Sequence, residues 1–191
     1  MICPGENLLS QKLCGLFITG TGQQGENQRA RNENEQTKVA VTLSDVMDLS
    51  SEGAANCYIV SSSGVYTFPT VIGNSAFSVG RVTSAVVLWE SFGTDTAPNV
   101  GDLVNSVSYK NGYISFSTPD TFKEGNAVIA AKNSKGVILW SWHIWLTDKP
   151  ADQVYYNNAG TMMDRNLGAT SATPGDVGAL GLLYQWGRKD P

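Results

Sequence analysis

The stretch that decides the fold class lies at residues 106–117. It reads Ser106-Val107-Ser108-Tyr109-Lys110-Asn111-Gly112-Tyr113-Ile114-Ser115-Phe116-Ser117. Asn111 and Gly112 tolerate the two positive φ angles of a type I′ turn, whose twist matches that of paired strands. Polar and apolar side chains alternate on both sides of the turn, as they do in half-buried strands. The stretch therefore predicts an antiparallel β-hairpin.

Short strand-like segments continue on both sides of this hairpin. A second hairpin is expected to join two of them through residues 132–136. Short strands at spacings of roughly ten residues, without a helical period, predict an all-β, antiparallel β-sandwich, and we favour an Ig-like topology. The expected strands are residues 39–43, 56–60, 65–68, 82–89, 103–109, 113–117, 127–131 and 137–146.

The domain organisation follows from changes in composition along the chain. Residues 21–38 carry three acidic and three basic side chains and no apolar side chain larger than Ala30, which predicts a polar linker or a long mobile loop. Residues 1–20 are then expected to be the remnant of an upstream β-domain, and residues 39–150 the β-sandwich. Residues 151–191 are rich in loop signals and are expected to be an incomplete C-terminal region, so the sequence is expected to be truncated at both ends.

Composition also limits the function classes. Charged residues make up 16% of the 191 residues and the formal net charge is −4, so a nucleic-acid-binding surface, which needs a basic excess, is not expected. No stretch approaches the roughly 18 consecutive apolar residues of a transmembrane helix. The N-terminal residues contain no apolar run long enough for a secretory signal peptide.

The cysteines do not form a recognisable set. Cys3, Cys14 and Cys57 are odd in number, and their spacing fits neither a disulfide framework nor a zinc site. Cys57 lies in an apolar run and is interpreted as a small buried hydrophobic residue. The redox state of the three cysteines stays open, and no metal or cofactor is expected.

His143 is the single histidine, so any catalytic triad must use it. It lies between tryptophans on an expected strand, where Trp140 and Trp142 share a face with Ile144, while His143 points to the other face. No Gly-x-Ser-x-Gly elbow accompanies it. We therefore interpret His143 as a hydrogen-bonded sheet residue, assign no catalytic residue and expect no enzyme.

Two further motifs have simpler explanations than ligand binding. Residues 164–168 begin like a calcium loop, but the third ligand position is Gly168 and no glutamate closes the set, so Asx turns explain the residues equally well. The spacing of Gly20, Gly22 and Gly25 fits a dinucleotide-binding motif, yet a polar linker follows it in place of a helix. Neither motif is assigned a function.

The aromatic residues are the remaining signal, with five tryptophans and seven tyrosines. Aromatic faces on a β-sandwich can stack on sugars, but Trp89, Trp140 and Trp142 lie in apolar strands and are expected to fill the core. Candidates for ligand binding are the three aromatic residues in loop-like sequence, namely Tyr155, Tyr156 and Trp186.

Five longer runs lie at residues 55–60, 125–131, 138–145, 160–169 and 181–188. They resemble the fimbrillin-family surface proteins of gut bacteria, and the resemblance covers residues 43–191. The C-terminal part is similar to the FISUMP-type paralogous domain of that family. The sequence departs from the family pattern in lacking the usual lipoprotein signal and in ending at Pro191, where relatives continue through a longer, partly lectin-like region.

The resemblance implies a non-catalytic structural or adhesive module of a protein that is outer-membrane-anchored or extracellular. Its partners would be other surface or fimbrial subunits, or glycans, and the family offers no catalytic residues to transfer. A carbohydrate-binding module is the alternative. The two overlap if the target of the adhesin is a glycan.

Overall fold

Residues 46–191 are described in the computed structural model of the chain. The expected strand at 39–43, the linker at 21–38 and the remnant at 1–20 lie outside these residues. The described residues contain ten strands: β1 Val46–Asp48, β2 Cys57–Val60, β3 Val65–Pro69, β4 Ser84–Ser91, β5 Ser106–Lys110, β6 Tyr113–Ser117, β7 Gly125–Lys132, β8 Ile138–Leu146, β9 Asp152–Val154 and β10 Thr161–Met163. Two short 3-10 turns, Tyr156–Asn158 and Val177–Ala179, complete the regular structure.

Eight of the strands form two sheets that share one core. Sheet I has the order β1-β3-β6-β5 and sheet II the order β2-β8-β7-β4. Phe68 of sheet I lies 5.1 Å from Tyr58 and 5.2 Å from Trp142 of sheet II, measured between ring centroids. The all-β prediction is confirmed, since the regular structure consists of strands and two short turns. Because these rings contact each other across the two sheets, the sheets pack as a sandwich.

The hairpin predicted at residues 106–117 is present. β5 and β6 pair in antiparallel register with Lys110 opposite Tyr113, so the turn has two residues. Both turn residues have positive φ, 51° at Asn111 and 87° at Gly112. The second predicted hairpin, β7–β8, is also formed, and Asn133 N–H donates to the carbonyl of Val137 across its loop.

The sheets are mixed, whereas the sequence predicts antiparallel pairing throughout. β1 runs parallel to β3, and β2 runs parallel to β8. Both parallel pairs involve an edge strand, since β1 and β2 are the first strands of their sheets. The chain crosses from one sheet to the other between β1 and β3, so the returning strand keeps the direction of the first. The alternation of side chains in the sequence is the same for parallel and antiparallel pairs, so it does not predict the direction of a strand relative to its neighbour.

The tryptophans expected in the core occupy three different environments. Trp142 is fully buried among residues of both sheets, and Trp140 is partly buried against the same core. Trp89 is half-buried and is not part of the core cluster. A register shift between Val87 and Trp89 interrupts the regular alternation of side chains along β4. Ile138 is 47% exposed, so the apolar face of β8 is shorter than its sequence predicts.

The outer face of sheet II is buried by the C-terminal residues. Ser141, His143 and Trp145 of β8 are all less than 5% exposed although they point away from the shared core. The indole N–H of Trp145 donates to the carbonyl of Ala169 at 3.0 Å, and the Lys189 ammonium donates to the carbonyl of Ser141 at 2.9 Å. Residues 167–190 therefore form a cover over one side of the sandwich.

Candidate functional site

The candidate site lies between this cover and the outer face of sheet II, around His143. β8 lies between β2 and β7, and Cys57 of β2 is the register partner of His143. Asn126 of β7 is two residues before Val128, the partner of His143 on that side. Because side chains two residues apart share a face, the sheet brings Cys57, His143 and Asn126 together on its outer surface.

The hydrogen bonds of Asn126 fix the tautomer of His143. The side-chain N–H of Asn126 donates to the carbonyl of Gly168 at 2.9 Å, which leaves Oδ1 to face the imidazole. Oδ1 lies 2.9 Å from Nε2 of His143, and an amide oxygen only accepts hydrogen bonds. Nε2 therefore carries the proton, and Nδ1 of the neutral ring is an acceptor.

Two donors compete for this acceptor. The Sγ atom of Cys57 lies 3.3 Å from Nδ1, and the hydroxyl of Tyr184 lies 3.2 Å from it. Cys57, Tyr184 and His143 all line one cavity. Nδ1 is therefore the side of the buried His143–Asn126 pair that faces the cavity.

Burial keeps the imidazole neutral. Desolvation lowers the pKa of His143 to about 4, and the carboxylate of Asp190 opposes this shift in part. The charge of Asp190 is itself offset by Lys189, whose ammonium contacts its carboxylate at 2.7 Å. At neutral pH the ring is therefore an uncharged base whose Nδ1 atom carries no proton.

The cavity has a volume of about 700 Å³, which is in the range of small-molecule sites. Its floor is the outer face of sheet II, and its wall is the cover. Trp186 is 100% exposed at its rim, next to the exposed side chains of Gln185 and Arg188. The lining residues are Asn56, Cys57, His143, Leu167, Tyr184, Gln185, Trp186, Gly187, Arg188 and Lys189.

Polar contacts stiffen one side of this cavity. Oδ1 of Asn56 accepts from the indole N–H of Trp140 at 3.1 Å and from the backbone N–H of Gly73 at 3.2 Å. The ammonium of Lys189 lies 4.7 Å from the centroid of the Trp140 ring, in cation–π geometry. Hydrogen bonds therefore fix Asn56 at the floor of the cavity, whereas residues 185–188 at the rim are exposed.

The structure separates the three ligand-binding candidates of the sequence. Trp186 lines the cavity. Tyr155 is 52% exposed and Tyr156 92% exposed, and both lie in the loop between β9 and β10, outside the lining of the cavity. Among the described residues, no three His, Cys, Asp or Glu side chains are grouped so as to hold a metal ion.

The region that begins like a calcium loop is occupied by an ion-pair network. Arg165 pairs with Asp164 at 2.9 Å and with Asp148. These hydrogen bonds lower the pKa of both carboxyl groups. The oxygen atoms of Asp164 and Asp148 are thereby directed to the guanidinium of Arg165.

Comparison with known proteins identifies no relative. No family model matches the chain, and no curated protein or solved structure shows significant similarity to it. Within residues 46–191, helices are confined to short turns, and none is long and apolar enough to cross a membrane.

Sequence reasoning missed the polar members of the site. Asn126 carries a signal, because it is a single amide within the otherwise apolar strand β7. Cys57 and Tyr184 carry none, since their proximity to His143 depends on the parallel pairing of β2 with β8 and on the path of the cover.

Proposed function

We propose that this chain is a non-catalytic structural and adhesive module of a bacterial cell-surface protein, of the fimbrillin-like kind that its sequence resembles. The observation that carries the proposal is the cavity on sheet II with the fully exposed indole of Trp186 at its rim. A large aromatic surface left in water beside a concave site favours contact with a partner. In this proposal, adhesion consists of the binding of a partner to the rim of the cavity at Trp186.

The location and the partners of the module belong to the same proposal. The resemblance of residues 43–191 supports an outer-membrane-associated or extracellular position, with other surface or fimbrial subunits or glycans as partners. An Ig-like topology is supported by two four-stranded sheets around one core, with antiparallel pairing at the centre of each sheet. The parallel edge pairs are its departure from that pattern.

A carbohydrate-binding module is the second candidate, and the composition of the rim favours it. Indole faces stack on the apolar faces of sugars, while amide and guanidinium groups hydrogen-bond their hydroxyls. Trp186 supplies the first element, and Gln185 and Arg188 supply the second within the same exposed segment.

A glycan array tests both candidates when it is run with two matched variants. Trp186→Ala removes the exposed aromatic residue at the rim of the cavity, and Tyr156→Ala removes a similarly exposed aromatic residue outside it. We expect glycan binding by the wild type and by Tyr156→Ala, and a loss of at least about tenfold in affinity for Trp186→Ala.

The outcomes assign the function. Binding that depends on Trp186 supports the carbohydrate-binding module. If no glycan binds, adhesion of chain-coated beads to bacterial surfaces, abolished by Trp186→Ala alone, supports contact with protein subunits. Adhesion and glycan binding that are both indifferent to Trp186 contradict the proposal.

A further inference from the structure

An array that a passive binding site does not need lies at the floor of the cavity: Cys57 and His143 line it, and the fully buried Asn126 lies behind His143. The Sγ atom of Cys57 lies 3.3 Å from Nδ1 of His143, and Nε2 lies 2.9 Å from Oδ1 of Asn126. A thiol, an imidazole and an orienting amide in this order activate cysteine nucleophiles on unrelated folds. Cys57 also lines the cavity and is only partly buried.

We propose that Cys57 is a nucleophile that accepts an acyl group from an ester or thioester bound in the cavity. His143 is the base that takes the proton of the thiol, and Asn126 is the positioning residue that holds the imidazole. This inference goes beyond the proposed adhesive function, which requires no covalent step. It adds a stoichiometric, covalent capture of the ligand.

The reaction exchanges one nucleophile for another. The sulfur of Cys57 attacks the carbonyl carbon of the ligand as Nδ1 of His143 takes the thiol proton, and a carbon–sulfur bond forms. The bond from that carbon to the leaving oxygen or sulfur then breaks, and the leaving group takes the proton from Nδ1. The products are a thioester on Cys57 and an alcohol or thiol, so no oxidant or reductant is consumed.

The orientation of the imidazole makes Nδ1 the basic atom. Asn126 is anchored by the carbonyl of Gly168, and its Oδ1 therefore holds the proton on Nε2. The neutral ring then presents its lone pair to Cys57 and to the cavity. The thiol loses its proton during the attack, because the desolvated ring does not stabilise a resting imidazolium.

The groups that face His143 come from three directions. Cys57 approaches from β2 and Asn126 from β7, while Tyr184 and Asp190 approach from the cover. Asp190 is paired with Lys189, so it adds little net charge. The hydroxyl of Tyr184 lies 3.2 Å from Nδ1 and competes with the thiol for it.

The chemistry of the walls selects the ligand class. Leu167 and the aromatic rings of Tyr184 and Trp186 form the apolar part of the lining, and Arg188 and Lys189 are its cationic part, so an uncharged aromatic ester fits it better than a cationic ligand. p-Nitrophenyl acetate has these properties, and it marks an acylated cysteine by the mass of one acetyl group.

The test is the rate at which p-nitrophenyl acetate acetylates Cys57 at pH 6 in the full chain, followed by peptide mapping with mass spectrometry. Cys57 in the urea-unfolded chain is the reference, because it has no base beside it. We expect the native chain to react about 10²-fold faster. An equal rate in the two states contradicts the proposal.

Two variants separate the roles of the neighbours. His143→Gln should reduce the native rate to that of the unfolded chain and restore the steep rise with pH of an isolated thiol, while its melting temperature reports that it is folded. Tyr184→Phe keeps the ring that lines the cavity but removes the hydroxyl that competes with the thiol for Nδ1, so it should react faster than the wild type. A His143→Gln rate equal to that of the wild type, or a Tyr184→Phe rate as low as that expected of His143→Gln, overturns the assignment of the base.

Asn126 needs a readout that a merely structural role does not move. Asn126→Asp places a carboxylate against Nε2 and should raise the pKa of His143, so the acid limb of the acetylation profile should move to higher pH. Asn126→Ala should lower the rate without that movement. Identical profiles in both variants and the wild type contradict the positioning role.

Discussion

The Nε2 atom of His143 lies 2.9 Å from Oδ1 of Asn126, at a point where both side chains are almost completely buried. This hydrogen bond crosses from β8 to β7 on the outer face of sheet II. It directs the unprotonated Nδ1 atom of the ring toward Cys57, Tyr184 and the cavity. The geometry of the candidate site therefore depends on how the cover buries this face.

The pH dependence of stability follows from the burial of His143. Its pKa is about 4 in the folded chain and about 6.5 when unfolded, so the unfolded chain binds more protons between these values. The stabilisation from the neutral ring is complete above pH 6.5 and is lost as the pH falls toward 4. We expect a loss of about 3 kcal/mol in this window by urea unfolding. His143→Gln is the control and should remove this part of the loss, leaving the part that comes from carboxyl groups whose pKa is lowered in the folded chain. An unchanged profile would contradict the assignment.

Trp142 and Trp186 differ most in exposure, and their removal is expected to change stability by very different amounts. Trp142 is fully buried between the sheets, and Trp142→Ala should lower the free energy of unfolding by about 3–5 kcal/mol through the cavity it leaves. Trp186→Ala removes a fully exposed side chain and should change it by less than about 0.5 kcal/mol. Urea unfolding of both variants checks the pair, and equal effects would show that the core is placed incorrectly.

The turn between β5 and β6 depends on backbone conformation alone. A Cβ atom at Gly112 would meet no other atom within 4 Å, but φ there is 87°. Gly112→Val should therefore destabilise the chain by more than about 1 kcal/mol through strain. Gly112→Asn is the control, since asparagine tolerates this region, and it should cost less. Unchanged melting of the valine variant would place the turn elsewhere.

Gly168 tests the contact between the cover and the site. Its φ is 82°, and a Cβ atom would lie 2.5 Å from Cγ of Leu182 and 3.1 Å from Oδ1 of Asn126. Gly168→Ala should cost more than about 2 kcal/mol, from strain together with overpacking. Gly175→Ala, with φ of 87° and no atom within 4 Å, carries the strain alone and should cost about 1 kcal/mol. Thermal unfolding compares them, and equal costs would argue against close packing at Gly168.

Local sequence signals were sufficient for much of the sandwich. The positive-φ pair Asn111 and Gly112 and the alternation around it predict the β5–β6 hairpin, because both effects act within a few residues. The parity of β8 also places Trp142 in the core and His143 on the opposite face. The position of Trp89 could not be predicted in this way, because the alternation of side chains does not reveal the register shift in β4.

The site depends on contacts that are distant in sequence. Cys57 meets His143 across 86 positions and Tyr184 meets it across 41, through a parallel strand pair and a segment without regular structure. Neither periodicity nor turn residues encode such pairings. Trp186 was accessible to sequence reasoning because it lies in loop-like sequence, whereas its neighbours at the floor of the cavity were not.

The state of the His143 ring tests the central claim most directly, and the chain has a single histidine, so its ring-nitrogen NMR signals need no assignment to a residue. Two-bond correlations to the ring protons distinguish Nδ1 from Nε2. The ¹⁵N spectrum of the full chain, recorded from pH 3 to 8, reports both the tautomer and the titration. We expect a proton on Nε2, an unprotonated Nδ1 at neutral pH and a transition near pH 4. A proton on Nδ1, or a transition near the ordinary value of about 6.5, would contradict the buried Asn126–His143 pair and the base assigned to Cys57.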